Sequence, residues 1–185
     1  MSAQSSVRII GGSWRGRKLP LLSEAGLRPT PDRVRETLFN WLMPTIVGTI
    51  VLDACAGSGV LGIEALSRGA SKVFFIENNV KLCSAIRKMC GVLEADAEII
   101  QHDVSKLNLV LTGKKFDLVF LDPPYQSGLY SEVIAQLIEG DHFAKKALMY
   151  IETSTKSVVN FVPKSWLKLR SKTAGHVRYE VYQIA

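Results

Sequence analysis

From residue 49 onward, short apolar runs alternate with segments of helical period, and that alternation leaves the chain few folds to choose from. TIVLDA (49–54), KVFFIE (72–77), AEIIQ (97–101), FDLVFLD (116–122) and ALMYIE (147–152) read as strands. Most are apolar through nearly their whole length, as strands buried on both faces are. Between them, VLGIEALSRG, VKLCSAIRKMCGVL and LYSEVIAQLIEG carry amphipathic helical patterns. In the second, Leu82, Ala85, Ile86, Met89 and Leu93 share one face. Strands separated by helices predict an α/β, Rossmann-like fold: a mostly parallel sheet with right-handed crossovers and helices on both faces. Beyond residue 155, WLKLRSK and HVRYEVYQI flank Thr173-Ala174-Gly175, the pattern of an antiparallel hairpin that closes the sheet edge and completes seven strands.

The 185 residues suffice for one sizeable core. The expected division is a main domain over 46–185, preceded by an arm and helix over 1–45. RPTPDRVRETLFNWL begins that helix, with Thr30 as N-cap, Pro31 at the first helical position, and Val34, Leu38, Trp41 and Leu42 on one face. VRIIGGSWRGRKLP, ahead of it, has no helical period and reads as a short hairpin or partly ordered arm. Residues 1–36 hold seven basic side chains against three acids, +4 of the chain's net +6. A basic segment at one end can be an electrostatic footprint for nucleic acid or simply solvated surface. Within it Arg8, Arg15, Arg17 and Lys18 accompany Trp14, a stretch suited to RNA backbone contact, while Arg28, Arg33 and Arg35 are placed to meet cofactor or phosphate.

Other features exclude function classes. No apolar run approaches the roughly 18 residues that span a bilayer. Met1 to Ser6 lacks the charged and apolar regions of a secretory signal, so a cytoplasmic protein is expected. Cys55, Cys83 and Cys90 are odd in number and lack CxxC spacing, which argues against disulfides and structural zinc and for buried thiols. His102, His142 and His176 have no mutual metal spacing, and Tyr130 and Trp166 read as packing residues.

DACAGSGVLGIEAL follows the first strand of the alternation and opens a helix, with Gly57, Gly59 and Gly62 satisfying GxGxxG. Glycines let the backbone approach a ligand where a Cβ would obstruct it. Glu77 ends the second strand twenty residues beyond Gly57, where a carboxylate can accept from ribose hydroxyls. Nicotinamide cofactors and S-adenosyl-L-methionine both carry adenosine, so the loop alone does not choose between them. Asp53 puts a negative charge where a cationic methionine end can sit, whereas a dinucleotide would bring its pyrophosphate near this turn. Asp103 ends the third strand, in reach of an adenine amino group. Ala54 and Asn78, beside Asp53 and Glu77, complete the expected cofactor set with Thr30.

FDLVFLDPPYQSG then sets an acid and two prolines directly after an apolar run. At the carboxyl edge of a doubly wound sheet, Asp122 to Tyr125 should lie beside the glycine loop. The chemistry that fits is methyl transfer to an exocyclic amine on a planar ring, a poor nucleophile because its lone pair is delocalised. The Asp122 carboxylate and Pro123 carbonyl can hold the amine's two hydrogens, with Pro123 and Pro124 stiffening the turn and Tyr125 stacking on the ring.

DACAGSG together with DPPY resembles a class I methyltransferase of the amino-methylating kind. RPTPDRVRETLFNWL, IIGGSWRGRKL, EALSRGA and GHVRYEVYQ extend the resemblance over nearly the whole chain, to the bacterial RsmD family, which methylates a guanine N2 in 16S ribosomal RNA. The resemblance implies S-adenosyl-L-methionine as donor, RNA in small-subunit particles as substrate, and a cofactor pocket partly covered by residues 28–36; a monomer is expected. Cys55 departs from the bulkier apolar residue usual in that family. Competing expectations are adenine N6 in DNA as the target amine, a nicotinamide oxidoreductase, and a non-catalytic RNA-binding module.

Overall fold

The structure, a computed structural model, describes residues 6–20, 30–124 and 128–185. A small antiparallel hairpin, β1 (Ser6–Arg8) with β2 (Lys18–Pro20), precedes helix α1 (Asp32–Leu42). The main sheet follows as β3 (Ile50–Asp53), α2 (Val60–Ser67), β4 (Lys72–Glu77), α3 (Val80–Leu93), β5 (Ala97–Gln101), a 3-10 turn (Val104–Leu109), β6 (Phe116–Leu121), α4 (Leu129–Glu139), β7 (Phe143–Ser154), β8 (Leu167–Ala174) and β9 (Val177–Gln183). Its order is β5-β4-β3-β6-β7-β9-β8. Strands β5, β4, β3, β6 and β7 are parallel, and β9 and β8 add an antiparallel hairpin at the edge. The α/β fold, the seven strands and the closing hairpin are as expected.

Period-two alternation sorts the core into two layers. Val51, Val73, Phe75, Leu118, Phe120, Tyr150, Tyr179 and Val181 point to one face, where α1, α2, α3 and the hairpin pack with Leu38, Phe39, Ile63, Ile86 and Ile9. Leu52, Phe74, Ile76, Val119, Leu121, Met149 and Ile151 point to the other, under α4 and the 3-10 turn, with Val133, Leu137 and Leu107. Cys90 lies in the first layer, and burial lifts its thiol to about 11. Trp166 packs edge-on against Phe143 in the second layer, and His142 is buried there with its ring nitrogens on the Lys114 carbonyl and the Asn108 amide oxygen.

Two boundaries shift. α1 begins at Asp32 with Pro31 as N-cap and no side-chain cap, so Thr30 is not the cap. Instead Thr30 is buried and its carbonyl accepts from Arg35 Nε at 3.2 Å. β7 starts at Phe143, four residues earlier than the apolar run suggested, because residues 144–147 bulge out where β6 passes from Phe116 to Leu118. No helix among the described residues is long and apolar enough to cross a membrane.

Candidate active site

Strand order reverses between β3 and β6, and in open α/β sheets the crevice outside the carboxyl ends at such a point receives the ligand. Asp53 ends β3 in register with Phe120 of β6, and Asp122 stands two residues further along β6's path. Leu121 pairs with Ile151, so the next step of the register sets Asp122 beside Glu152 of β7. Asp53, Asp122 and Glu152 share the parity of Val51, Phe120 and Tyr150, and they leave the sheet toward the α1–α2–α3 face.

Three acids on neighbouring strands repel one another, and burial disfavours their charged forms. Burial pushes the Asp53 carboxyl from 3.8 to about 7, against the Gly62 N–H that it accepts at 3.1 Å, with Glu77 adding to the rise. The half-buried Asp122 is pushed well above the ordinary carboxylate range, by burial first and then by Glu152 and Asp53. Cys55 lies half-buried beside Asp53 and Asp122, its thiol pushed up chiefly by burial. Tyr130 of α4 stacks on Phe161 and donates to the Glu152 carbonyl at 2.7 Å, its phenol pushed up by burial first and then by the nearby Asp122. Tyr130 therefore packs as expected, and it packs against the site.

The glycine loop is built as its spacing required. Gly57 and Gly59 take left-handed φ of 52° and 75°, and Gly59 caps α2. A Cβ on Gly62 would fall on the Phe75 ring and 2.9 Å from Val73 Cγ1, so only glycine lets α2 lie this close to β4. Glu77 holds both ends of the turn region, accepting Gly57 N–H and Asn79 N–H at 2.8 Å each. Asn79 caps α3, while Asn78, adjacent to it, is exposed. Asp103 is exposed beyond the end of β5 and its Oδ1 caps the 3-10 turn at Ser105 N. This donor set fits a cationic amino-acid group joined to a sugar: a buried acid short of positive charge at Asp53, Gly57 and Gly59 turned so that backbone faces the crevice, and the carboxylate of Glu77 one strand over.

The basic segment divides differently from expectation. Arg35 is not a ligand arginine: it is fully buried, with Nη1 on Glu64 Oε2 at 3.2 Å, Nη2 on the Arg8 carbonyl and Asp32 Oδ1, and Nε on the Thr30 carbonyl. Glu64 of α2, itself buried, also takes Ile10 N–H, Gly11 N–H and Arg68 Nε, so one carboxylate pins the hairpin and α1 to α2. Arg8 and Lys18 are exposed and, with Thr30 and Asp32, line a cavity of about 330 Å³ at the start of α1. Arg15 and Arg17 are exposed and Trp14 half-buried near the hairpin's tip, where Ser13 and Trp14 donate to Ser67 at the end of α2. That end of α2 faces the amino edge of the sheet, opposite Asp122. Arg33 is exposed on α1; Arg28 and Tyr125 lie outside the described residues. Pro123 is buried and Pro124 exposed. Glu152 and Glu64 went unremarked in the sequence, although Glu152 ends an apolar run just as Asp53, Glu77 and Asp122 do.

A switch-point crevice lined with acids, fed by a glycine turn and closed by an antiparallel edge hairpin, is class I methyltransferase architecture. Two solved chains share it closely: an Escherichia coli protein described as a candidate methyltransferase (TM-score 0.86, 43% identity, covering 97% of this chain and 98% of that one) and a Haemophilus influenzae protein described as a candidate methylase (TM-score 0.83, 42% identity, covering 97% and 98%). The chain belongs to the family described as Conserved hypothetical protein 95, whose model matches residues 7–183. Similar relatives are the Ribosomal RNA small subunit methyltransferase D of Haemophilus influenzae, 45% identical over 98% of this chain and 96% of that protein, and that of Escherichia coli K12, 43% identical over 98% and 92%.

Proposed function

We propose that the protein transfers a methyl group from S-adenosyl-L-methionine to the exocyclic N2 of a guanine in 16S ribosomal RNA, with small-subunit particles as substrate. The observation that carries the chemistry is Asp122 beside Asp53 at the switch point, its turn held by Pro123. Near-full-length relatives named for small-subunit ribosomal RNA support the substrate class. The RsmD resemblance supports the guanine N2.

When bound, the cofactor supplies an electrophilic methyl on a positively charged sulfur. Asp53 would hold its cationic amino-acid end and regain a full negative charge in doing so. Gly57, Gly59 and Ala54 would line it along the backbone, Glu77 and Asn78 would meet the ribose, Asp103 the adenine, and Thr30 the pocket wall. Asp122 and the Pro123 carbonyl would accept the two amine hydrogens, making the nitrogen more pyramidal and aiming its lone pair. Asp122 would also offset the positive charge that develops there. Pro124 would keep the turn stiff, and Tyr125 would stack on the base. Arg8, Trp14, Arg15, Arg17, Lys18 and Arg33 would bind RNA backbone. A nicotinamide dinucleotide is disfavoured, because Asp53 would face its pyrophosphate with no basic partner in the turn.

The test incubates the protein and Asp122→Ala with labelled S-adenosyl-L-methionine and under-methylated small subunits, then digests the RNA to nucleosides. The expected label is N2-methylguanosine, lost in the variant. Label in N6-methyladenine on DNA, or none on RNA with cofactor binding intact, would reject the ribosomal assignment.

A further inference from the structure

We propose that Glu152 is a positioning residue for the amine chemistry at Asp122: the two carboxylates, side by side on β7 and β6, take up between them the proton that the methylated amine releases. This rests on the reading of Asp122 as the acceptor of the amine's hydrogens.

The placement is fixed by the sheet. The register pair Leu121–Ile151 makes 122 and 152 direct neighbours on parallel strands, and their common parity sends both side chains to one face. Glu152 is 4% exposed, its Oε2 accepts from Tyr150 Oη at 2.8 Å, and Tyr130 Oη anchors its backbone carbonyl. Ionising a carboxyl carried this deep is costly, and a glutamine would keep an oxygen for the Tyr150 hydroxyl without that cost. Two acids this close do not ionise independently; they behave as one unit that readily holds a single proton.

The reaction needs such a unit. As the amine nitrogen gains the methyl carbon, the carbon–sulfur bond breaks with its electron pair left on sulfur, and the nitrogen is left with one proton too many. That N–H bond breaks toward Asp122, an O–H bond forms, and the nitrogen regains its lone pair. Glu152 raises the proton affinity of Asp122 at the moment it is needed, and Asp122, the more exposed of the two, passes the proton to water. The other titratable groups around the pair are Asp53 at the end of β3, Glu77 at the end of β4, Cys55 in the turn after β3, Tyr130 of α4, and Tyr150 and Tyr179 on β7 and β9.

Glu152→Gln keeps an oxygen for Tyr150 and removes the charge, so Asp122 ionises at lower pH. The pH profile of methyl transfer on small subunits should move its acid limb downward by on the order of one pH unit. Cofactor-free stability offers a second readout: a double-mutant cycle of Glu152→Gln with Asp122→Asn should show coupling at pH 8 that is gone at pH 5. An acid limb left in place, together with additive stabilities at both pH values, would overturn the proposal and leave Glu152 a structural acid. If instead Asp122→Asn methylates like the wild type, the reading of Asp122 falls and the proposal with it, whatever the cycle shows. Should Glu152→Gln fail to fold, Glu152→Asp, with its charge drawn back by one methylene, should move the same limb in the same direction by less.

Discussion

Removing the charge of Asp53 should make the cofactor-free protein more stable, and the gain should depend on pH in a defined way. In the fold this carboxyl sits at about 7, against 3.8 for the ordinary group. Three pK units correspond to about 4 kcal/mol for ionising it in place. Asp53→Asn keeps an oxygen for Gly62 N–H and carries no such cost. Between pH 5 and 7 the unfolded carboxyl is ionised while the folded one is protonated, so folding takes up a proton. Stability of the wild type then falls by about 1.4 kcal/mol per pH unit relative to the variant. The gap should widen by about 2 kcal/mol from pH 5 to 7 and level off above pH 8, where both states are ionised. Urea unfolding at pH 5, 6, 7, 8 and 9 measures it directly. Saturating S-adenosyl-L-methionine should flatten the wild-type gradient, because a seated cation returns Asp53 to an ordinary carboxylate, and should leave the variant unchanged. Stability curves for the two proteins that stay parallel within about 0.5 kcal/mol from pH 5 to 9 would refute the reasoning.

The ion pair between Arg35 and Glu64 is buried on both sides, so Arg35→Met should cost about 3 kcal/mol in chemical unfolding, since Glu64 is left with Arg68 alone as a charged partner; a loss under about 1 kcal/mol would show that the pair is dispensable. Gly62→Ala should cost about 1–3 kcal/mol, since its methyl meets the Phe75 ring and Val73, and should weaken cofactor binding by pushing the Gly62 N–H off Asp53; calorimetric titration with S-adenosyl-L-methionine reads the second effect. Replacing Arg8, Arg15, Arg17 and Lys18 together by alanine should lower RNA affinity and reduce its salt dependence with the fold intact; unchanged binding at low salt would remove the hairpin from the RNA interface.

Much of this architecture was legible because its signals are local. The bounds of β4, β5 and α3 coincide with the patterns that announced them: β4 is an apolar run buried through its middle, β5 a short apolar stretch at the sheet edge, and α3 an amphipathic helix that starts at its Asn79 cap. Asp53, Glu77 and Asp122 could be picked out for the same reason, each being the acid that closes such a run. Glu152 closes one too, but what matters about it is its neighbour on β6, and that depends on a strand register set by long-range packing. β7 proved longer than its apolar run because residues 143–146 are only half-buried or exposed around the bulge, and hydropathy cannot see them as strand. Arg35 misled because an arginine in a first helical turn is usually at the surface. Yet it stands three and seven residues before Leu38 and Leu42, on the apolar face, and that spacing pointed inward.

Helix α2 ties the arm to the crevice edge of the sheet. Its first turn presents Gly62 N–H to Asp53, while Glu64, two residues on, gathers Arg35, Arg68 and two backbone N–H groups of the hairpin. Ser67 at its far end receives the hairpin's tip. The hairpin's anchors and the backbone donor that opposes the rise of Asp53 therefore share one eight-residue helix packed directly on β4. Gly62 leaves no slack between that helix and the sheet, so the two ends of α2 keep a fixed relation to the crevice.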